Sequence, residues 1–242
     1  MTSSHSANVL IVDDDPEFRE ILAFDFESSG YEVSQAENAN AAIEALAKSR
    51  INVIVSDVRM PDGDGVMLLN RIAERKRSEG IILIFVTGFL DLSLMEAFDL
   101  GAEGFLLKPF DRRALISAVQ RLLLPMAARW AQKKGSSCIL DRVKVKGSIE
   151  EMSSVFALGR GGASFKTSSK LPEIDQIVFF NILFEAGPIL NLRGEGQVRW
   201  KRGETIGVEF LYIDPEGLSK LANFIESQRP LPFIPKGEDS GK

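Results

Sequence analysis

Four apolar runs in the first half of the chain each stop at a side chain able to do chemistry. Val9–Val12 stops at Asp13-Asp14-Asp15, Ile51–Val55 at Ser56-Asp57, Ile81–Val86 at Thr87-Gly88, and Gly104–Leu107 at Lys108-Pro109. The clustered carboxylates Asp13, Asp14 and Asp57, with no histidine or thiolate beside them, suit a hard cation such as Mg²⁺. A carboxylate held beside Mg²⁺ can act as a nucleophile toward phosphoryl groups, forming an aspartyl phosphate. Such a transfer rests mostly on positioning and charge neutralisation. The Lys108 ammonium and the Thr87 hydroxyl would supply both by binding phosphoryl oxygens. Any one of these residues alone reads as a polar side chain that merely ends a strand. The whole set is poorly explained that way.

These side chains share an edge only if the runs are parallel strands. Each run is short, apolar and bounded by polar residues, the pattern of a buried strand. The intervening segments read as helices. Pro16 stands at a first helical position with Asp15 as N-cap, Phe18, Ile21, Leu22 and Phe26 form an apolar face, and Gly30 stops the helix. Tyr31–Ala36 alternates as a strand, and Ala39–Ser49 is an alanine-rich helix. Met60–Gly65 turns, Val66–Arg77 is a helix with a solvated basic end, and Leu92–Leu100 is a helix stopped by Gly101. Asp111 caps a last helix running to about Leu124. Strand and helix alternating five times predict a parallel sheet covered on both faces. Ligands bind at the carboxyl edge of such a sheet.

Composition narrows the function classes. The 242 residues suffice for two domains, with 45% hydrophobic and 26% charged side chains, as in a globular protein. Residues 1–125 carry 20 acidic and 12 basic side chains, a net −8, and the remainder nets +3. That excess is too small to point to nucleic acid. One cysteine, Cys138, excludes an intrachain disulfide, and the single histidine, His5, leaves little room for histidine catalysis or histidine metal sites. No apolar run approaches a membrane span and the N-terminus lacks a secretory pattern, so a soluble cytoplasmic protein is expected.

Residues 7–124 resemble a response-regulator receiver domain. NVLIVDDD, VIVSDVRMPDGDG, FVTG and GAEGFLLKPF match that family's blocks in order and at its usual separations. The resemblance implies a flavodoxin-like (βα)5 fold with Asp57 as phosphoacceptor for a sensor histidine kinase. It implies Mg²⁺ held by Asp14, the Asp57 carboxylate and the Arg59 backbone carbonyl, with Asp13 acting through water. Lys108 would pair with the phosphoryl group, and Thr87 and Phe105 would be the switch pair. Signalling through the fourth helix, fifth strand and fifth helix is the common mode, and self-association through that face is one route. Two readings of the Arg59 side chain stand: tuning of the acyl phosphate lifetime, or a solvated loop cation.

The second half is strand-rich. Cys138–Val145, Val155–Phe165, Gln176–Phe184, Leu190–Lys201 and Thr205–Tyr212 read as strands, with a glycine turn at Gly159, Gly161 and Gly162. Gln176–Phe184 is almost wholly apolar and is expected to be deeply buried. Pro215 begins a terminal helix. No helix-turn-helix, no acid-histidine or nucleophile constellation and no phosphate loop is present, so neither a DNA-binding nor an enzymatic output is expected. The expected domains are a receiver over 1–124, a helical linker over 125–137, a small, mostly antiparallel barrel with a C-terminal helix over 138–230, and a tail over 231–242 that is extended or disordered.

That barrel resembles a PilZ domain: LGRGGASF with LPEIDQIVFF matches its glycine turn and next strand, and GQVRWKRGETIGVEF its tryptophan strand and closing strand. The family binds cyclic di-GMP through RxxxR and, downstream, D/N-x-S-x-x-G. Here Ala157 and Gly159 replace the acid or amide and the serine. Arg129 and Lys133 are a remnant of the first motif, and lysine cannot make arginine's bidentate phosphate pair. Each lost group costs about 1 to 2 kcal/mol. Three together cost roughly 3 to 6 kcal/mol, or about two to four decades of affinity. A solvated helix face is the better reading of Arg129 and Lys133, although Arg160 offers a substitute contact. The sequence therefore reads as a response regulator whose PilZ-like output acts on an unidentified protein, cyclic di-GMP being disfavoured. The alternative is a phosphorylation-controlled cyclic di-GMP effector.

Overall fold

The computed structural model describes residues 7–88, 92–131, 142–146, 156–166, 172–185, 189–228 and 232–236. By compactness the chain divides into a first unit, Met1–Ser93 with Leu100–Leu123, and a second, Leu94–Asp99 with Leu124–Lys242.

In the first half, strands β1 (Asn8–Val12), β2 (Glu32–Ala36), β3 (Val53–Ser56), β4 (Ile82–Thr87) and β5 (Gly104–Leu107) alternate with helices α1 (Pro16–Ser28), α2 (Ala39–Lys48), α3 (Gly65–Glu79), α4 (Leu94–Asp99) and α5 (Arg112–Leu123). The strands pair in parallel in the order β2-β1-β3-β4-β5, the flavodoxin-like arrangement. Every residue of β3 and β4 is buried, which is why both read as unbroken apolar runs. Helix ends follow their capping chemistry. Asp15 accepts from the Glu17 and Phe18 amides, Asp64 accepts from the Met67 amide, and Gly80 closes α3 at φ 71°.

Three expectations change here. Ile21 is exposed, because the buried stripe of α1 is Leu22, Ala23 and Phe26. α4 is shorter than Leu92–Leu100. The basic end of α3 is not wholly solvated. Lys76 is buried, with its ammonium 2.8 Å from the Glu103 carboxylate and donating to the Ile81 carbonyl at 2.7 Å.

The second unit adds α6 (Met126–Ala131), β6 (Arg142–Lys146), β7 (Phe156–Leu158), β8 (Gly162–Lys166), β9 (Ile177–Glu185), β10 (Ile189–Arg202), β11 (Thr205–Ile213) and α7 (Pro215–Gln228). Its strands run in the order β6-β9-β10-β11-β8-β7, antiparallel except for the β6–β9 pair. Register shifts at Glu195/Gly196 and Val198/Trp200 mark bulges that bend the long β10–β11 ribbon. At Gly207 a Cβ would lie 2.0 Å from the Trp200 indole, so only glycine lets the ring cross the strand. The core joins Phe180, Leu192, Val208 and Phe210 to Leu221 and Ile225 of α7.

Three further corrections concern this unit. In β9 burial alternates: Val178 and Phe180 face the core while Ile177 and Phe179 are half-exposed. Part of the stretch expected as linker, α6, packs into the core, since Trp130 is fully buried and stands edge-on to Phe210 at 5.7 Å. A ring that buries about 150–250 Å² is costly to leave in solvent, and it pulls α6 onto the sheet. Within the expected tail, Pro232–Lys236 is likewise packed: Phe233 and Ile234 are buried. Lys133 and Cys138 lie outside the described residues. Among the described residues no helix is long and apolar enough to cross a membrane.

Candidate functional site

The loops after β1, β3 and β5 carry their polar residues to one edge of the parallel sheet. There Lys108 Nζ lies 2.6 Å from Asp13 Oδ2 and 2.8 Å from Asp57 Oδ2. One ammonium thus joins two carboxylates that are 51 and 95 positions away in sequence. Each carboxylate is aimed by main chain. The Asp13 Oδ1 atom accepts from the Asp15 amide at 3.0 Å and Asp57 Oδ1 from the Arg59 amide at 3.0 Å. The Asp57 backbone is tied to β1 through its amide on the Val12 carbonyl, 2.8 Å. Lys108 is anchored by its own amide on the Thr87 carbonyl, 2.8 Å, after which comes a cis peptide to Pro109.

Electrostatics follow from burial. Burial pushes the Asp13 carboxyl above the ordinary carboxylate range, with the Lys108 hydrogen bond and the Asp15 amide pulling the other way. For Lys108 burial opposes the charge, but its bonds to Asp13 and Asp57 outweigh it and hold the ammonium above its usual value. Asp13 and Asp57 are almost fully buried and Thr87 completely so, while Asp14 and Arg59 are exposed at the lip. Phe105 is half-buried opposite Phe85 in the β4–β5 register.

The structure therefore joins Asp13, Asp57 and Lys108 directly and puts Thr87 on the adjoining strand end. It does not draw Asp14 into a carboxylate triplet. Among the described residues no three histidine, cysteine or carboxylate side chains converge. Two oxygen-donor side chains close enough to share one cation still fit a hard metal that keeps several waters. Two positions escaped the sequence reading. The Phe18 ring lies under Lys108, with Nζ 4.1 Å from its centroid, and it stands three residues after the Asp15 cap. At Gly65 a Cβ would come 2.3 Å from the Asp57 carbonyl, so this glycine lets α3 start against the acid's own backbone.

Of the nucleotide-site remnant, Arg129 and Arg160 fall among the described residues of the second unit. Arg129 donates to the Leu124 carbonyl at 3.3 Å, and Arg160 lies in the turn between β7 and β8. That turn closes with the Gly159 amide on the Gly162 carbonyl, 2.8 Å. The next two amides are taken by the chain itself: Arg160 donates to the Pro232 carbonyl and Gly161 to the Phe233 carbonyl, both at 2.9 Å.

Comparison with known proteins places both halves. Residues 9–120 match the response regulator receiver domain, and residues 142–227 match the PilZ domain. The transcriptional regulatory protein FixJ of Azorhizobium caulinodans is 40% identical over 139 residues, 57% of this chain and 65% of that protein. The response regulator protein FleR of Pseudomonas aeruginosa is 37% identical over 116 residues, 48% of this chain and 24% of that protein. The chain thus spans under two thirds of the first and about a quarter of the second. Among solved structures, the chemotaxis response regulator CheY4 of Vibrio cholerae is 30% identical, covering 49% of this chain and 99% of that one, with a TM-score of 0.45. The chain belongs to the response regulators, with a receiver domain followed by a PilZ domain.

Proposed function

We propose that Asp57 accepts a phosphoryl group from a sensor histidine kinase and that the PilZ domain passes the signal on by binding another protein. The observation that carries this reading is the single Lys108 ammonium shared by Asp13 and Asp57. An acyl phosphate on Asp57 would take over that ammonium, so phosphorylation changes the charge partner at the end of β5. Asp14, Asp57 and the Arg59 carbonyl, with Asp13 through water, would hold a Mg²⁺ ion, which would supply neutralisation of the incoming phosphoryl charge. Thr87 and Phe105 form the switch pair. A phosphate shifts an equilibrium only through contacts that differ between two states, and Lys108, Thr87 and Phe105 are the residues able to make them. The cyclic di-GMP reading has less support, because two amides of the Leu158–Gly162 turn already hold main-chain carbonyls.

Acetyl phosphate with Mg²⁺, followed by intact mass, tests the acceptor: one phosphoryl adduct is expected, and none in Asp57→Asn. For the output, scattering and hydrogen exchange across residues 125–137 are expected to change with beryllofluoride. Identical profiles would leave Asp57 in place and remove the coupling.

A further inference from the structure

Gly159, which breaks the cyclic di-GMP motif, and its neighbour Gly161 have a use of their own. At Gly161 a Cβ would lie 1.9 Å from the Phe233 ring, and at Gly159 it would lie 2.5 Å from the Phe233 carbonyl and 2.7 Å from the Pro232 carbonyl. Any side chain at either position would eject the segment Pro232–Pro235. The fit continues at Gly162, where a Cβ would meet Ile234 at 3.0 Å. Phe233 is 1% exposed and Ile234 fully buried. Two successive amides on two successive carbonyls, with an aromatic ring seated on a glycine, is recognition of a short peptide segment that bends at Phe233 and Ile234. Main-chain bonds hold such a segment and a side-chain pocket selects it. An anion would need those same amides, which here face carbonyl oxygens. Proline on both sides of the Phe233-Ile234 pair restricts the backbone and lowers the ordering cost of docking.

We propose that the Leu158–Gly162 turn is a binding site for a proline-flanked aromatic peptide, filled in cis by Pro232–Pro235 of this chain. A partner carrying the same Pro-aromatic-apolar-Pro pattern binds there by replacing that segment. The proposal rests on the reading of the PilZ domain as a protein-binding output and names the partner's chemistry.

The test uses the full chain and a labelled peptide of residues 229–237, followed by fluorescence anisotropy. Phe233→Ala empties the cradle and should bind the peptide about tenfold more tightly than the wild type, since an aromatic anchor dominates such a contact. Adding Gly161→Ala to that variant should abolish the gain, and so should a peptide with alanine at position 233. Equal binding by wild type and Phe233→Ala, or by the peptide without its ring, overturns the proposal. If Phe233→Ala fails to fold by circular dichroism, ¹⁹F-labelled Phe233 in the otherwise unaltered chain decides instead. Peptide in large excess should move its signal toward that of an exposed ring, and an unmoved signal overturns the proposal. Cyclic di-GMP that binds the wild type at micromolar levels without moving that signal also overturns it. The Asp57 adduct is measured separately, so either idea can fall while the other stands.

Discussion

Two lysines of the first unit sit against carboxylates at opposite edges of the same sheet, and they are finished differently. Lys76 reaches Glu103 just before the strands begin. Its ammonium also donates to the Ile81 carbonyl, and Glu103 Oε2 also accepts from the Leu83 amide at 2.7 Å. The Lys76 and Glu103 side chains are 1% and 2% exposed, and each has a backbone partner. Lys108 lies where the strands end. Its side chain is 25% exposed, and its ammonium bonds to two carboxylates. A charge locked to main chain and sealed from water cannot change partner without unfolding its surroundings, whereas a partly exposed ammonium between side chains can move to a new anion. The first pair holds β4 beside the loop that enters β5. The second is a site.

If that contrast is right, the largest effect belongs to chemistry. Asp57→Asn should lose the phosphoryl adduct entirely in an intact-mass assay, and Glu103→Gln should keep it. An adduct that survives Asp57→Asn would break the assignment.

Stability should invert the order. Lys76→Met strands a buried carboxylate and should cost about 3 to 5 kcal/mol. Lys108→Met should cost less, because its ammonium is partly solvated and Asp13 and Asp57 each keep a main-chain amide. Urea unfolding of both variants checks this, and equal losses would erase the distinction.

Metal binding sharpens the Lys108 side. Removing a positive charge beside the cation site should tighten Mg²⁺ a few-fold in Lys108→Met. Asp14→Ala should weaken Mg²⁺, while Asp15→Ala should not, because Asp15 caps α1. Titration followed by a spectroscopic signal from the protein reads all three. Equal losses in the two aspartate variants would contradict the ligand set.

The smallest effect is in pH. Folding raises the Lys108 pKa above its ordinary 10.5. The stability this contributes is therefore complete below that value and is lost as pH rises through the folded pKa. The advantage of wild type over Lys108→Met should stay level from neutral pH upward and shrink only in strong alkali. A difference that declines already near neutrality would mean that the ammonium is not held by the two acids.

Much of the receiver was legible in the chain because its signals are local. Buried strands read as apolar runs, caps as Asp15 and Asp64, and the acid, hydroxyl and ammonium sit at run ends that the strand–helix alternation must bring to one edge. The sheet order and the joining of Asp13 and Asp57 through Lys108 agree with that reading. Asp14 was legible as a carboxylate but not as an exposed one, since adjacency in sequence does not show which of two neighbours turns inward.

What the sequence determined by itself is what depends on neighbours along the chain: element type, turn position and the identity of groups at each strand end. Tertiary structure alone decided the rest. Lys76 looked like one more solvated cation at a helix end until Glu103, 27 residues away, closed over it. Trp130 looked like part of a linker, and Phe233 like part of a tail. Each was settled by a partner far along the chain: Phe210 for the indole, and a glycine at 161 that leaves room for a ring. Periodicity shows which side of an element is apolar, but not what will cover it. An aromatic on a short segment has no periodicity, so only the space left by a distant glycine reveals where it goes.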